Sequence, residues 1–285
     1  MRSLFALLLV SAAAWAEGRP VSLKTVPAQV TLTGAHATQQ FLAIATYADG
    51  SERDVTGEAQ WRVSNPGLVR LESPAQLAAA ADGSLTLSAT LEGARAQSAV
   101  RIEHSQMERP FNFSRDIGAI LTKRGCNGAV CHGGVKGRGG FKLSANALYP
   151  KDDYEWITKG GTYQVLTSEV KGARIPRVDL QNPEKSLLLA KPTMTVPHGG
   201  GKRFERDSED YRTILKWIQS GAPYGAGETG NELKLRRLEV YPPLSALPVG
   251  GKQRLLVTAR FSDGHTEDFT RQVLYASNNG DVATV

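Results

Sequence analysis

Residues 41–56 read FLAIATYADGSERDVT, and this stretch sets the expected fold of the N-terminal part of the chain. Its first seven residues alternate in the manner of a half-buried β-strand. Asp49-Gly50 follows, and an Asp-Gly pair between two such runs predicts a β-hairpin with a type I′ turn, in which both central residues need a positive φ. Similar short runs recur through residues 21–104. We therefore predict that this segment is all β.

The same design returns 214 residues later, near the C-terminus. The two copies share aromatic, Asp-Gly, Asp and Thr positions in the same order, which indicates an internal repeat. These positions are Tyr47, Asp49, Gly50, Asp54, Thr56 and Trp61 in the first copy and Phe261, Asp263, Gly264, Asp268, Thr270 and Tyr275 in the second.

The spacing aromatic-x-Asp-Gly-x-x-x-Asp-x-Thr, followed by a strand, resembles the bacterial Ig-like domains of group 2. The resemblance implies a β-sandwich at 21–104 and the beginning of a second one at 234–285. By the repeat offset, about 32 residues of the second copy are missing. We therefore expect the sequence to be a fragment or a truncated reading frame.

Composition excludes several classes of protein. The chain has 285 residues, a net charge of +6 and two cysteines. Two cysteines are too few for a disulfide-stapled scaffold or for an iron–sulfur cluster held by protein alone. The basic residues are dispersed, so no nucleic-acid partner is predicted.

Residues 1–16 read MRSLFALLLVSAAAWA, which is typical of a secretory signal peptide. Arg2 provides the positive start, an apolar run follows, and Ala14-Trp15-Ala16 fits a cleavage site. The alternatives are a buried N-terminal helix and an uncleaved anchor. No later run reaches the roughly 20 apolar residues of a membrane span. We expect a periplasmic, secreted or cell-surface protein.

Residues 110–225 differ in character from both β segments. Ser114 can cap a helix that Gly125 ends, and Ser208 can cap a second, amphipathic helix that ends near Gly221. The interior between them, 133–197, is rich in glycine and has few aliphatic runs. We expect a large apolar cofactor to complete its core, and we predict a mainly α domain for 110–225.

Cys126, Cys131 and His132 are the sharpest functional signal. A C-x-x-C-H motif attaches c-type haem, because two thiols add to the vinyl groups of the porphyrin and the histidine binds the iron. Here the spacing is C-x-x-x-x-C-H. A disulfide between the two cysteines, a zinc site and a thiol redox enzyme are the alternatives, although zinc lacks further ligands at suitable spacing.

The run from Gly125 to Gly134 resembles the planctomycete-type cytochrome c domain over residues 112–224. Further matching motifs follow in order: GGFKLS at 139–144, Asp153-Tyr154, PEKSLLL at 183–189, PHGGG at 197–201, and Trp217-Ile218 with Gly221-Ala-Pro223. The resemblance implies one haem c attached to Cys126 and Cys131, with His132 as the proximal iron ligand. Members often adjoin group 2 Ig-like domains, as this segment does.

The sixth iron ligand has two candidates in the haem segment, Met194 and His198. We prefer His198, because the PHGGG run belongs to the resemblance and its glycines allow the backbone close to a flat macrocycle. An open or water-bound iron is the third alternative. Candidates for the haem propionates are Arg174, Arg177 and Lys202. Aromatic candidates for packing on the haem, or in the core without it, are Phe141, Tyr149, Tyr154, Trp156 and Trp217.

The expected protein is therefore multidomain: an Ig-like β-sandwich, a mainly α cytochrome c-like domain and a partial second β-sandwich. We expect one-electron transfer with an unidentified redox protein, so a carrier rather than a catalyst. The Ig-like modules would act as spacers or docking surfaces. Two alternatives stay open: a surface protein that binds a cell-surface polymer through its Ig-like domains, and a haem peroxidase or sensor with an open sixth site.

Other polar groups receive simpler interpretations. His36, His104 and His265 are single histidines and are interpreted as surface or turn residues. The Asp residues of the repeat are interpreted as turn-forming carboxylates rather than calcium ligands.

Overall fold

The computed structural model describes residues 18–72, 74–160, 175–225 and 234–285. The chain forms two compact units, one of Met1–Gln106 with Pro242–Leu256 and one of Met107–Tyr241 with Val257–Val285. The predicted signal peptide, residues 1–16, and Arg174 lie outside the described residues. Within the described part of the chain, no helix is both long and apolar enough to cross a membrane.

The first unit is all β where it is described, as the alternating runs predict. Its strands are β1 Ser22–Val26, β2 Gln29–Thr33, β3 Thr38–Gln40, β4 Leu42–Thr46, β5 Glu52–Asp54, β6 Gln60–Val63, β7 Val69–Glu72, β8 Gln76–Ala79, β9 Gly83–Leu91 and β10 Ala94–Glu103. They form three sheets, ordered β1-β4-β5, β2-β10-β9-β6 and β3-β8-β7. Every pair is antiparallel except β2 with β10.

The core of this unit lies between the sheets. Along β9, alternate residues turn inward, which is the pattern of a strand with one buried face. The buried apolar side chains around it are Leu32, Phe41, Val69, Leu77, Leu85, Leu87, Val100 and Ile102. This arrangement has the character of a β-sandwich.

The hairpin between β4 and β5 is present, but the type I′ turn is wrong. Tyr47 and Ser51 close a three-residue loop, since the Tyr47 amide donates to the Ser51 carbonyl at 2.9 Å. Gly50 alone takes a positive φ, 81°, and its amide donates to the Tyr47 carbonyl at 2.9 Å. This is a type I turn followed by a left-handed glycine. Asp49 accepts a hydrogen bond from the Ser51 amide instead of adopting a positive φ.

The 214-residue repeat is confirmed at the level of single hydrogen bonds. The Thr56 hydroxyl accepts from the Ala43 amide at 2.9 Å, and the Thr270 hydroxyl accepts from the Val257 amide at 3.0 Å. The carboxylates of Asp54 and Asp268 likewise accept from the amides of Thr56 and Thr270, at 2.9 and 2.8 Å. The strands match as well: β12 Leu256–Phe261 and β13 Thr266–Asp268 correspond to β4 and β5, and with β11 Leu235–Tyr241 they form a three-stranded sheet.

The mainly α domain predicted for 110–225 is wrong. The helices in the described part of this segment are α1 Ala119–Lys123, α2 Pro150–Thr158, α3 Leu187–Ala190 and α4 Glu209–Gln219, with a π-type turn at Phe113–Gly118 and 3₁₀ turns at Arg138–Gly140, Ala145–Ala147 and Pro183–Lys185. Loops make up most of the rest, and the described chain as a whole is richer in strand than in helix.

Glycine explains why the helices stay short. Gly125, Gly137, Gly139 and Gly140 all take positive φ, which an α-helix cannot accommodate. The first helical stretch is capped by Asn112, whose side chain accepts from the Arg115 amide, and not by Ser114 as predicted. The Ser208 cap on α4 is confirmed, because its hydroxyl accepts from the Tyr211 amide at 3.2 Å.

The second unit has an apolar core formed by its own side chains. The Gly-rich interior contributes Leu143, Ile157 and Leu189, all fully buried. Trp217 on α4 is 0% exposed, and its indole donates to the Pro223 carbonyl at 2.8 Å. The aromatic rings packed with it are Phe113, Tyr154 and Tyr224.

An ion-pair cluster joins α4 to the end of α1. Asp210, in the first turn of α4, pairs with Lys123 at 3.1 Å and with Arg124. Asp210 is buried, so these contacts fix the residues that immediately precede Gly125 and Cys126.

We predict that Trp217→Ala lowers the free energy of unfolding of this unit by about 3–5 kcal/mol, because it removes a buried indole and leaves a cavity. Urea denaturation followed by circular dichroism measures the change. Leu148→Ala, at a side chain that is 68% exposed, is the control and should change stability by less than about 0.5 kcal/mol. Equal effects of the two substitutions would contradict this assignment of the core.

Candidate functional site

The Cys126–His132 loop is closed by its own backbone. The Cys126 amide donates to the Leu121 carbonyl at 2.8 Å, which continues the turn beyond α1. The His132 amide donates back to the Cys126 carbonyl at 2.9 Å, and the Cys131 amide to the Gly128 carbonyl at 3.0 Å. The four residues between the cysteines are thus taken up in tight turns, and Cys126 and His132 are brought together.

Gly133 is required by a close backbone approach. A Cβ at this position would lie 1.9 Å from the Asn127 carbonyl oxygen, which is far inside van der Waals contact. Asn127 cannot move away easily, because it is buried and its side-chain amide donates to the Thr122 hydroxyl at 2.8 Å. The glycine after the histidine is therefore part of how the loop closes.

The His132 ring is oriented by the segment that follows the loop. Its Nδ1 lies 2.9 Å from the Phe141 carbonyl oxygen, and its own carbonyl accepts from the Leu143 amide at 2.8 Å. A carbonyl only accepts, so Nδ1 must carry the proton and Nε2 keeps a free lone pair. Burial lowers the pKa of His132 and so favours the neutral ring that a metal requires.

Lys142 stabilises the same loop through its side chain. Its buried ammonium donates to the carbonyls of Gly133 and Gly134, at 3.1 and 2.7 Å. The sequence analysis did not identify this residue. Its place directly after Phe141, inside the GGFKLS motif, was the available signal.

His198 has the same local arrangement as His132. Its Nδ1 lies 2.8 Å from the Gly201 carbonyl oxygen, to which it donates a hydrogen bond. The two imidazole centroids are 6.2 Å apart and their planes differ by 10°. The fold thus brings together two nearly parallel rings from residues that are 66 positions apart in the chain.

The separation of these two rings is close to that of two imidazoles that bind one metal ion. With a metal–nitrogen bond of about 2.0 Å on each side, the ring centroids lie about 6 Å apart. A haem iron takes its other four nitrogens from the porphyrin and needs no more than two protein ligands. A metal bound by protein alone needs more. Among the described residues, no cluster of three or more His, Cys, Asp or Glu side chains could hold one.

Met194, the alternative sixth ligand, is placed differently. Its side chain is 45% exposed and its φ is 60°, which puts it in a left-handed turn. His198 is half-buried and stacks near His132, whereas no contact joins Met194 to that ring among the described contacts.

Cys126 and Cys131 are free thiols, both half-buried. Burial raises the pKa of Cys126 to about 11, with the nearby Arg203 guanidinium acting in the opposite direction. The Cys126 thiol is therefore protonated at neutral pH. Addition to a vinyl group joins a thiol to a C=C bond, so Cys126 is in the form that this reaction consumes.

The basic residues that were predicted to bind the haem propionates lie in different environments. Arg177 lies over the Phe141 ring, 4.9 Å from its centroid, and burial lowers the pKa of its guanidinium. Lys202 instead forms an exposed ion pair with Glu205 at 3.0 Å. The structure adds two arginines beside His198 that sequence reasoning missed, Arg138 and Arg203. Only the fold brings them to this loop.

The aromatic residues that were predicted to pack on the haem or in the core also lie in different environments. Phe141 lies 4.7 Å from the His132 ring, centroid to centroid. Trp217 and Tyr154 belong to the apolar core, Trp156 is half-buried and Tyr149 is 60% exposed.

The other histidines and the repeat aspartates are turn residues, as predicted. His36 and His104 take positive φ, at 63° and 57°. His265 lies between two carboxylates, Asp263 and Glu267. The repeat aspartates accept hydrogen bonds from backbone amides two residues later, which is the Asx-turn arrangement.

Comparison with known proteins adds no relative. The chain matches no model of a protein family, and no curated protein matches it.

We predict that Gly133→Ala destabilises the chain by about 1–3 kcal/mol, because the added Cβ overlaps the Asn127 carbonyl. Gly118→Ala is the matched control. It lies in a helical stretch, and its Cβ would sit 3.5 Å from the nearest atom, so this change should leave stability unchanged or raise it slightly. Urea denaturation measures both, and tolerance of Ala at 133 would refute the close approach.

We predict that Cys126 reacts with iodoacetamide about a hundredfold more slowly at pH 8 than an ordinary thiol, because a raised pKa leaves little thiolate. Its rate should keep rising through pH 10, below the pKa of about 11. The haem-free Cys131→Ser chain isolates this thiol, and mass spectrometry follows it. The same chain in concentrated urea is the control and should react at the ordinary rate. A rate that levels off near neutral pH would contradict the burial of Cys126.

Proposed function

We propose that this chain is an exported c-type haem-binding protein that acts in one-electron transfer. Cys126 and Cys131 would hold one haem c covalently, and His132 and His198 would bind its iron. The main observation behind this proposal is the placement of the His132 and His198 rings beside two free thiols. The ring centroids are 6.2 Å apart and the ring planes lie within 10° of parallel. The resemblance of residues 112–224 to the planctomycete-type cytochrome c domain supports the same conclusion.

The protein's residues set the ligands in place before any iron binds. The carbonyls of Phe141 and Gly201 each accept the Nδ1 proton of one histidine, which fixes the tautomer and the ring plane. Lys142 and Gly133 keep the attachment loop closed around His132. When bound, haem supplies an iron that alternates between the ferric and ferrous states.

Two imidazoles favour a carrier over a catalyst. A peroxidase or a gas sensor needs an open iron position for its small ligand, whereas His198 would fill that position in this chain. Two nitrogen ligands also favour a lower reduction potential than a histidine with a methionine. The β segments then serve as spacers or docking surfaces for an unidentified redox partner outside the cytoplasm.

The test is production of the full chain in a host with a periplasmic haem c maturation system. We expect a red protein whose haem stain survives a denaturing gel. Cys126→Ala with Cys131→Ala should abolish the covalent stain. Because the apolar core of this unit is formed by side chains other than the two cysteines, we expect the circular dichroism of the variant to show a folded chain. A soluble, folded and colourless wild-type protein would refute the proposal, and a Cys126–Cys131 disulfide would then be the next hypothesis.

The sixth ligand is tested on the same haem protein. His198→Ala should open the iron to cyanide or carbon monoxide, while Met194→Leu, the control, should leave the spectrum unchanged. Near-parallel imidazole planes also predict a resolved rhombic low-spin electron paramagnetic resonance spectrum for the ferric protein. A ferric absorption band at about 695 nm, the mark of a methionine–iron bond, would overturn His198 in favour of Met194.

A further inference from the structure

Two arginines occupy the space above the glycines that follow His198. A Cβ on Gly199 would lie 3.2 Å from a terminal nitrogen of Arg138, and one on Gly200 would lie 3.5 Å from a terminal nitrogen of Arg203. Consecutive glycines thus leave room for two guanidinium groups. The fold brings Arg138 to this short loop from a separate segment, whereas Arg203 directly follows the loop in sequence.

Neither guanidinium has a carboxylate partner among the residues that the structure describes. The recorded side-chain hydrogen bond of Arg203 goes to the Cys131 sulfur at 3.7 Å, a weak acceptor. Two cations in the neighbouring sequence, Lys202 and Arg206, are paired with Glu205 and Glu184.

Two adjacent cations without a counter-charge repel each other, and a third cation lies nearby. Arg177 rests on Phe141, whose ring contacts His132, and has no ion pair among the described residues. The like-charge repulsion is relieved when an anion binds between the groups. Arginine suits a carboxylate in particular, because its planar fork matches both oxygens.

We propose that Arg138 and Arg203 bind the carboxylates of the ligand held by the His132–His198 pair. This inference rests on the proposed function where the ligand is haem, whose two propionates are its only carboxylates. A free anion could supply the same chemistry at the same two groups. The arginines would then form an anion site independent of haem.

The decisive comparison uses hemin and hemin dimethyl ester, in which both propionates are neutral. They are titrated into the full chain carrying Cys126→Ala and Cys131→Ala, so that binding is reversible. Arg138→Gln and Arg203→Gln should each weaken hemin binding about tenfold, since a charged hydrogen bond is lost. Neither should weaken binding of the ester. Lys136→Gln and Lys202→Gln are the charge-matched controls and should leave both ligands unaffected.

Inorganic phosphate tests the free-anion source. The haem-free full chain is titrated with phosphate and its melting temperature is followed. With a haem carboxylate site, we expect no rise that depends on Arg138 or Arg203. A rise lost in both arginine variants and kept in both lysine variants would assign the arginines to a free anion instead. If wild-type chain also takes up no haem, that result keeps the anion site and refutes the proposed function.

If the chain without the two cysteines does not bind hemin, the full chain with covalently attached haem provides the test. Its reduction potential at neutral pH should fall in Arg138→Gln and Arg203→Gln by more than in the two lysine variants, because an unneutralised carboxylate favours ferric iron. The proposal is overturned if the arginine variants match the lysine variants in every haem measurement and phosphate does not bind.

Discussion

The carbonyl oxygen of Asn127 lies where a side chain at residue 133 would have to be, and the loop from Cys126 to His132 depends on that contact. Because the backbone passes so close to itself, the two cysteines and His132 share one compact turn in spite of their four-residue spacing. Asp210 then ties the preceding residues to α4 through Lys123 and Arg124. The loop is therefore anchored to the apolar core that contains Trp217, and the geometry of the histidine follows from the packing of the unit.

Hydrogen bonding gives both histidines the same local arrangement. Each Nδ1 donates to a backbone carbonyl, an acceptor without charge, so neither ring is pushed towards an imidazolate. Arginines lie near both rings, and no carboxylate partner of Arg138, Arg177 or Arg203 is found among the described residues. A cationic surrounding of this kind would suit a ligand that carries negative groups at its edge.

Local patterns predicted the local structure well and the larger architecture poorly. The Asp-Gly hairpins, the repeat and the Ser208 cap are visible in sequence because each depends on contacts within a few residues. The turn type was not predicted correctly, because Gly50 alone supplies the positive φ. The helix cap was not predicted correctly either, because Asn112, two residues before Ser114, is the cap. The mainly α assignment failed where glycines break up the helices. The contacts of Arg203 with Cys131 and of Arg138 with Gly199 depend on long-range folding, which spacing does not encode.

The turn that closes each β copy has a property that bears on how such modules diverge. In the first copy the Trp61 indole donates to the Thr56 carbonyl at 3.0 Å, and in the second the Tyr275 hydroxyl donates to the Thr270 carbonyl at 2.9 Å. The Trp61 indole N–H and the Tyr275 hydroxyl thus donate to equivalent threonine carbonyls, each five residues earlier in the chain. Substitution at this position is constrained by the reach of one polar hydrogen rather than by side-chain identity, so duplicated copies can drift apart in sequence while the corner they share persists.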